Sequence, residues 1–345
     1  MTGFRPISTV PRMQAQGLFD LQVNGYAGID FNSADITPDG VDHALESMWR
    51  SGVTQCLPTI ITAPAGILAE RLAALDRAVA ISRFGGAMVP GYHLEGPFLS
   101  PEDGFAGCHP ASAMQAPDPA LVQRLEAPLR RPILLLTLAP ERDGAVELIR
   151  WARQRGKVVA LGHTAASAAQ VTAAADAGAS LSTHLGNGLR GLLPKFANPL
   201  LAQLGEDRLW ASFIADGIHV PPPALKVMLR AKSLERSILV TDATAAAAAP
   251  AGRYEFAGMA IEHAADGSVR VPGGTMLAGS SLRLDQAVRN LAAWGLAPAA
   301  MALRLAAGNP AALMAPALAA YGVCLQRRSV AWSDTLIPRI TGLPA

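Results

Sequence analysis

His93-Leu94-Glu95-Gly96-Pro97-Phe98 is the stretch on which the reading of this chain turns. It closes an apolar run, residues 87–95, that reads as a buried strand. Glutamate is seldom buried unless it is paired or binds a metal. Gly96 and Pro97 then turn the chain, which leaves Glu95 at the rim of its sheet. Two further apolar runs end the same way, residues 157–163 in His163 and residues 179–184 in His184. One glutamate and two histidines, each at the C-terminal end of its own strand, make a three-ligand set. Catalytic zinc is commonly held like that, with a fourth position left for water.

Outward from this stretch, short apolar runs alternate with amphipathic spacers. The runs fall at residues 17–24, 53–58, 87–95, 132–138, 157–163, 179–184, 209–216 and 237–242, and the clearest helical spacers at 39–50, 67–82, 145–155 and 167–177. Strand and helix repeated eight times is the pattern of a (β/α)8 barrel, and 345 residues accommodate one. The spacer after the third strand is long and irregular, with Pro101, Gly104, Gly107 and Pro110; loops of that length in a compact domain are often functional. Residues 243–250 are alanine-rich and leave a helix open, and residues 252–271 read as a small β excursion turning at Gly258 and Gly267. Ser280 or Ser281 is expected to cap a helix running to Trp294. Residues 330–340 read as one or two strands, with the first sixteen residues as pairing partners. The expected division is a barrel over 17–316 and a small β-rich appendage from 1–16 and 317–345.

Half of the residues are hydrophobic, 16% are charged and the net charge is +2. Lysines and arginines are scattered, so neither nucleic acid nor an acidic membrane surface is an expected partner. No apolar stretch reaches membrane-spanning length, and the N-terminus lacks the apolar core of a signal peptide. Cys56, Cys108 and Cys324 have no metal-finger spacing and suit a reducing, cytoplasmic setting. Cys108 sits beside His109 and reads as a bystander.

In a (β/α)8 barrel the C-terminal ends of the strands form the active face. The polar residues that end these strands are Gln22 and Asn24, Glu95, His163, His184, Asp216 and Asp242, with His219 shortly after. A lone strand-end histidine is more often structural than a ligand; two with a glutamate shift the balance toward metal. Asp242 either caps the segment after the eighth strand or serves as a general base. The second role is the one expected.

The set of motifs Asp20-Leu-Gln-Val-Asn-Gly25, His93-Leu-Glu-Gly-Pro-Phe98, Leu161-Gly-His-Thr164, Thr183-His-Leu-Gly-Asn187, Ala215-Asp-Gly-Ile-His219, Val240-Thr-Asp-Ala243 and Leu277-Ala-Gly-Ser-Ser-Leu282 resembles the N-acetylglucosamine-6-phosphate deacetylases of the amidohydrolase superfamily. The motifs occur in family order over roughly residues 17 to 315. The resemblance implies Glu95, His163 and His184 as metal ligands and Asp242 as catalytic acid/base. It places His109 and His219 against the substrate's acyl group and sugar, and Asn187 and Gly188 near its phosphate, with Gly96 also at the substrate site. It implies a homodimer, too. Many amidohydrolases carry His-x-His on the first strand, where this chain has Gln22-Val-Asn24. Both amides face one way but are poor zinc ligands. One divalent ion, zinc, is therefore expected, although the same ligands accept iron, manganese or cobalt.

Two departures stand out. Only about sixteen residues precede the first strand, too few for the family's usual β-sandwich. The arginine that grips phosphate in the family has no fixed match; Arg190 and Lys195 both stand in the right segment. The expected activity is hydrolysis of the acetamide of N-acetylglucosamine-6-phosphate. The alternatives left open are an amidohydrolase for a non-phosphorylated N-acyl substrate and, from another class, a non-catalytic metal- or sugar-binding protein.

Overall fold

The computed structural model describes residues 13–326, 328–340 and 342. Its centre is an eight-stranded parallel sheet: Leu18–Val23, Val53–Ile61, Tyr92–Glu95, Ile133–Leu138, Val158–Leu161, Leu181–Ser182, Trp210–Ile214 and Ser237–Val240, hydrogen-bonded in that order. Every apolar run expected to be a strand overlaps one, and the second strand runs on past its run to Ile61. The strands are buried almost throughout because helices cover one face and the opposite strands the other. The first and eighth strands meet at their C-terminal ends, where Asp242 N donates to Gln22 O at 2.9 Å and Asn24 N to Ala243 O at 2.7 Å. The ring is thus joined at the rim that carries the strand-end polar residues.

The helices follow their local signals. Pro38–Arg50 starts at Thr37, whose side chain accepts from Gly40 N, and has Asp39 in its first turn and Arg50 in its last. Ala168–Ala177 opens with a reciprocal capping box between Ser167 and Gln170 and ends at Gly178, φ 115°. Ala65–Ile81 and Ala145–Gln154 fill the other two expected spacers.

Three local expectations are corrected. The third run is strand only from Tyr92; Gly85–Met88 forms a short helix. Pro90, in between, has no N–H to give a ladder. Residues 243–250 form turns rather than a helix, because Ala243 is tied by parallel bridges to Val23 and Ser280. The helix leading to Trp294 begins at Leu284 with no side-chain cap. Ser280 and Ser281 are engaged elsewhere, donating to Thr241 O at 2.6 Å and to Gly267 O at 2.7 Å.

The expected β excursion is a three-stranded antiparallel sheet, Gly252–Phe256, Met259–His263 and Val269–Arg270, with Gly258 and Gly267 at positive φ in its turns. Its buried face packs Phe256, Ile261 and Val269 on Ile61 beside the mouth of the barrel. At the other end, Met13–Gln16 pairs antiparallel with Ser329–Trp332, which pairs with Pro338–Arg339. The pairing expected of residues 1–12 lies outside the described residues.

Candidate active site

Glu95, His163 and His184 converge at the C-terminal rim, all buried, with one ligand atom from each lying within 4.8 Å of the others. Glu95 Oε1 is 3.1 Å from His184 Nε2 and 3.7 Å from His163 Nε2. His163 Nδ1 lies 2.9 Å from the carbonyl of Phe105. A carbonyl only accepts, so Nδ1 carries the proton and Nε2 keeps its lone pair for a ligand. Burial drives all three groups toward neutrality. It pushes the Glu95 carboxyl up, against the opposing charge of His163 and the hydrogen bond from Gln22. It holds His163 down at about 4, helped by His184, and lowers His184 too. Two buried polar atoms at this floor, His184 Nδ1 and Asn24 Oδ1, have no partner among the described residues. Neutral imidazoles around a buried carboxylate are a donor set that fits a divalent cation.

The backbone that brings these groups together is unusual. His163, His184 and Asp242 have φ values of 50°, 27° and 51°, left-handed conformations that non-glycine residues seldom adopt. Such strain persists where surrounding structure over-determines it, and it clusters at functional sites. Gly188 shows how tight the packing is: a Cβ there would lie 2.6 Å from His163 Nδ1.

Asp242 lines the same cleft as the histidines. Its Oδ1 accepts from Asn24 Nδ2 at 2.7 Å and from Gln22 Nε2 at 3.2 Å. Gln22 Nε2 also donates to Glu95 Oε1 at 3.0 Å, so one amide bridges both carboxylates. Burial raises the Asp242 carboxyl to about 6, with His184 opposing and Glu95 adding to the rise. That is near the range in which a general base works best.

Around this floor opens a cleft of about 830 Å³, lined among others by His109, Asn187, Gly188, His219, Phe256 and Met276. His109 comes from the long third spacer. Its ring meets His163 edge-on at 4.4 Å between centroids, and its Nε2 lies 3.8 Å from Glu95 Oε2. His219 Nδ1 is 2.6 Å from Asp216 Oδ2.

The chain is 36% identical over 314 residues to the N-acetylgalactosamine-6-phosphate deacetylase of Escherichia coli O157:H7, covering 90% of this chain and 81% of that one. It is 32% identical over 277 residues to the N-acetylglucosamine-6-phosphate deacetylase of Bacillus subtilis, covering 80% and 68%. The chain belongs to the N-acetylglucosamine-6-phosphate deacetylase family. It is a metal-dependent amidohydrolase. Among solved structures, a mutant N-acetyl-D-glucosamine-6-phosphate deacetylase from Mycobacterium smegmatis in complex with N-acetyl-D-glucosamine-6-phosphate superposes with a TM-score of 0.83 at 30% identity, covering 94% of this chain and 84% of that one. The Pasteurella multocida enzyme gives the same TM-score at 26% identity, covering 98% and 90%. No family model matches the chain.

Against this family background, three of the expected substrate-site residues stand away from the cleft lining. Gly96, φ 85°, packs on Thr62, where a Cβ would lie 2.1 Å from Oγ1. Arg190 is clamped on the third spacer, its Nε donating to Asp103 O at 2.7 Å and its Nη2 to Glu102 Oε2 at 3.1 Å, above the Phe105 ring. Lys195 is exposed. Other contributors were not singled out from sequence. Thr62, just past the second strand, holds His109 Nδ1 at 3.1 Å. Asp20 lies buried beneath Gln22 and accepts from Thr241 Oγ1 at 2.6 Å. His93, on the glutamate's own strand, joins Thr59 and Thr137 beneath the metal ligands. The alternation Asp20, Gln22, Asn24 along one strand face was a usable signal for Asp20; Thr62 had none.

Proposed function

We propose that this enzyme hydrolyses the acetamide of N-acetylglucosamine-6-phosphate, releasing acetate and glucosamine-6-phosphate. The observation that carries the reading is the Glu95–His163–His184 cluster facing Asp242 in one cleft, in a chain of this family. Glu95, His163 and His184 would hold a divalent metal, which would acidify a water and polarise the acyl carbonyl. Asp242 takes the proton from the attacking water and passes it to the departing amine, which cannot leave as an anion. A C–O bond forms and the C–N bond breaks. His109 stands where the acyl oxygen becomes negative. His219 meets the sugar, and Asn187 and Gly188 the phosphate.

Zinc is the ion inferred, one per chain. The support for a single ion is Gln22, whose amide hydrogens already join Glu95 to Asp242, where a second cation would otherwise bridge them. The homodimer and the cytoplasmic setting are inferred on the family resemblance and on three free cysteines. No described helix is long and apolar enough to cross a membrane.

The match to the E. coli enzyme favours a second reading, the 4-epimer N-acetylgalactosamine-6-phosphate. Comparing kcat/KM for the two phosphorylated sugars and for unphosphorylated N-acetylglucosamine tests both. The phosphorylated gluco sugar is expected to be best. Preference for the galacto epimer moves the assignment to the second reading, and equal turnover of the unphosphorylated sugar removes phosphate from it.

A further inference from the structure

Two cleft-lining imidazoles, His109 and His219, stand outside the ligand set, and they are held by different chemistry. His109 Nδ1 faces the hydroxyl of Thr62. That hydroxyl gives its own hydrogen to Glu95 O at 3.2 Å, so toward the ring it is a neutral acceptor. His219 Nδ1 faces Asp216 Oδ2 at 2.6 Å, and a carboxylate only accepts. The carboxylate is itself immobilised, because Asp216 Oδ1 accepts from the backbone N–H of both Ile218 and His219 at 2.8 Å. Both side chains are nine-tenths buried or more. Burial alone would raise the Asp216 carboxyl, but the hydrogen bond from His219 and the two amides outweigh it and hold the group below its ordinary value. Among the described residues the His219 ring makes no other hydrogen bond, and it borders the cleft.

We propose that Asp216 is a positioning residue for the deacetylation: it fixes the proton of His219 on Nδ1, so that Nε2 faces the substrate bare and accepts a hydrogen bond from a sugar hydroxyl. The geometry leaves the ring one tautomer in its neutral form and one orientation. This rests on the deacetylase reading for its substrate, not for its tautomer.

Asp216→Asn separates the two. The asparagine oxygen must stay on the two backbone N–H groups, since an amide nitrogen cannot accept from them. Its NH2 then faces His219 Nδ1 and donates to it, which forces the proton to Nε2. The loop keeps its bonds while the tautomer reverses. In zinc-loaded protein labelled with 15N-histidine, the wild-type His219 signal is expected to be Nδ1-protonated, and that of Asp216→Asn Nε2-protonated. On N-acetylglucosamine-6-phosphate the variant is expected to lose about tenfold to a hundredfold in kcat/KM, the usual cost of a buried hydrogen bond left unmade. In a His219→Ala background the same change is expected to cost less than about twofold, since residues acting through one another are not additive. An Nε2-protonated wild-type ring overturns the proposal without any variant. So does full, independent loss from Asp216→Asn in the His219→Ala background, which would make the aspartate a structural residue. Absence of turnover in the wild type alongside the expected tautomers overturns the deacetylase reading instead.

Discussion

Asp242 stands at φ 51° with two amide donors on one of its oxygens and no place in the ligand cluster. Asparagine tolerates that backbone region and keeps an oxygen for Asn24 and Gln22, so Asp242→Asn should fold and bind metal normally. Its amide cannot take or give the proton, and turnover should fall by about a hundredfold or more. Elemental analysis showing one zinc per chain in both proteins, with activity lost only in the variant, is the expected pair of results. Near-normal turnover would reduce Asp242 to a cap for the segment after its strand. At this scale the cluster was legible where polar side chains ended apolar runs, because Glu95, His163 and His184 do so together on one rim, which single structural roles account for poorly. Thr62 and Asp216 were not assigned roles. Threonine and aspartate are ordinary at strand ends; Thr62 meets His109 only through the fold, 47 residues away, whereas Asp216 meets His219 three residues on, a local signal left unused.

The strands and most helices follow directly from periodicity and caps, and the misread elements have two causes. The short helix at Gly85–Met88 precedes Pro90, which has no N–H for a ladder, while the turns after Asp242 and the displaced start at Leu284 lie where long-range bonds decide the backbone. Asp20 shows the same dependence. It joins the first strand to the eighth through Thr241, whose hydroxyl and N–H both donate to its carboxyl. Burial raises that carboxyl to about 7 from its ordinary 3.8, against the hydrogen bonds from Thr241. Between those values the folded protein holds a proton that the unfolded chain has lost. The stability contributed is therefore full below about pH 4 and lost as pH rises through 7. Asp20→Asn keeps an acceptor for the two backbone N–H groups and has nothing to ionise. Thr241 Oγ1 can then donate to Gln22 O, 3.2 Å away. The Tm of the variant minus that of the wild type should thus be larger at pH 8 than at pH 5. The same difference at both values would show that Asp20 is ionised in the folded protein throughout.

At the scale of the whole molecule, one chain leaves its anion site short of charge. Among the described residues lining the cleft there is no lysine or arginine, whereas phosphate is held best by charge-assisted bonds. The sequence offered Arg190 and Lys195 for this role, and the structure separates them. Arg190 is spent on Glu102, Asp103 and Phe105. Among the described residues Lys195 makes neither hydrogen bond nor ion pair, and its ammonium lies 5.4 Å from the Phe196 ring centroid. Its segment continues the cleft wall from Leu189 and Gly191 and exposes Leu192 at 91% and Phe196 at 74%. Apolar side chains so exposed beside a free cation suit an interface, and in a two-fold dimer each copy would give this segment to the other's cleft. On the proposed homodimer, sedimentation should give the mass of two chains. Lys195→Ala should raise KM for the 6-phosphate about tenfold, one lost charge-assisted contact, and leave the unphosphorylated sugar unaffected. Leu192→Glu with Phe196→Glu should dissociate the dimer and weaken the phosphorylated substrate to a similar degree, whereas Arg190→Ala should act on the third spacer and therefore on both sugars alike. A monomeric wild type with full preference for the phosphorylated sugar would mean that backbone N–H groups and Asn187 suffice within one chain, and Lys195 would then be a solvated loop charge.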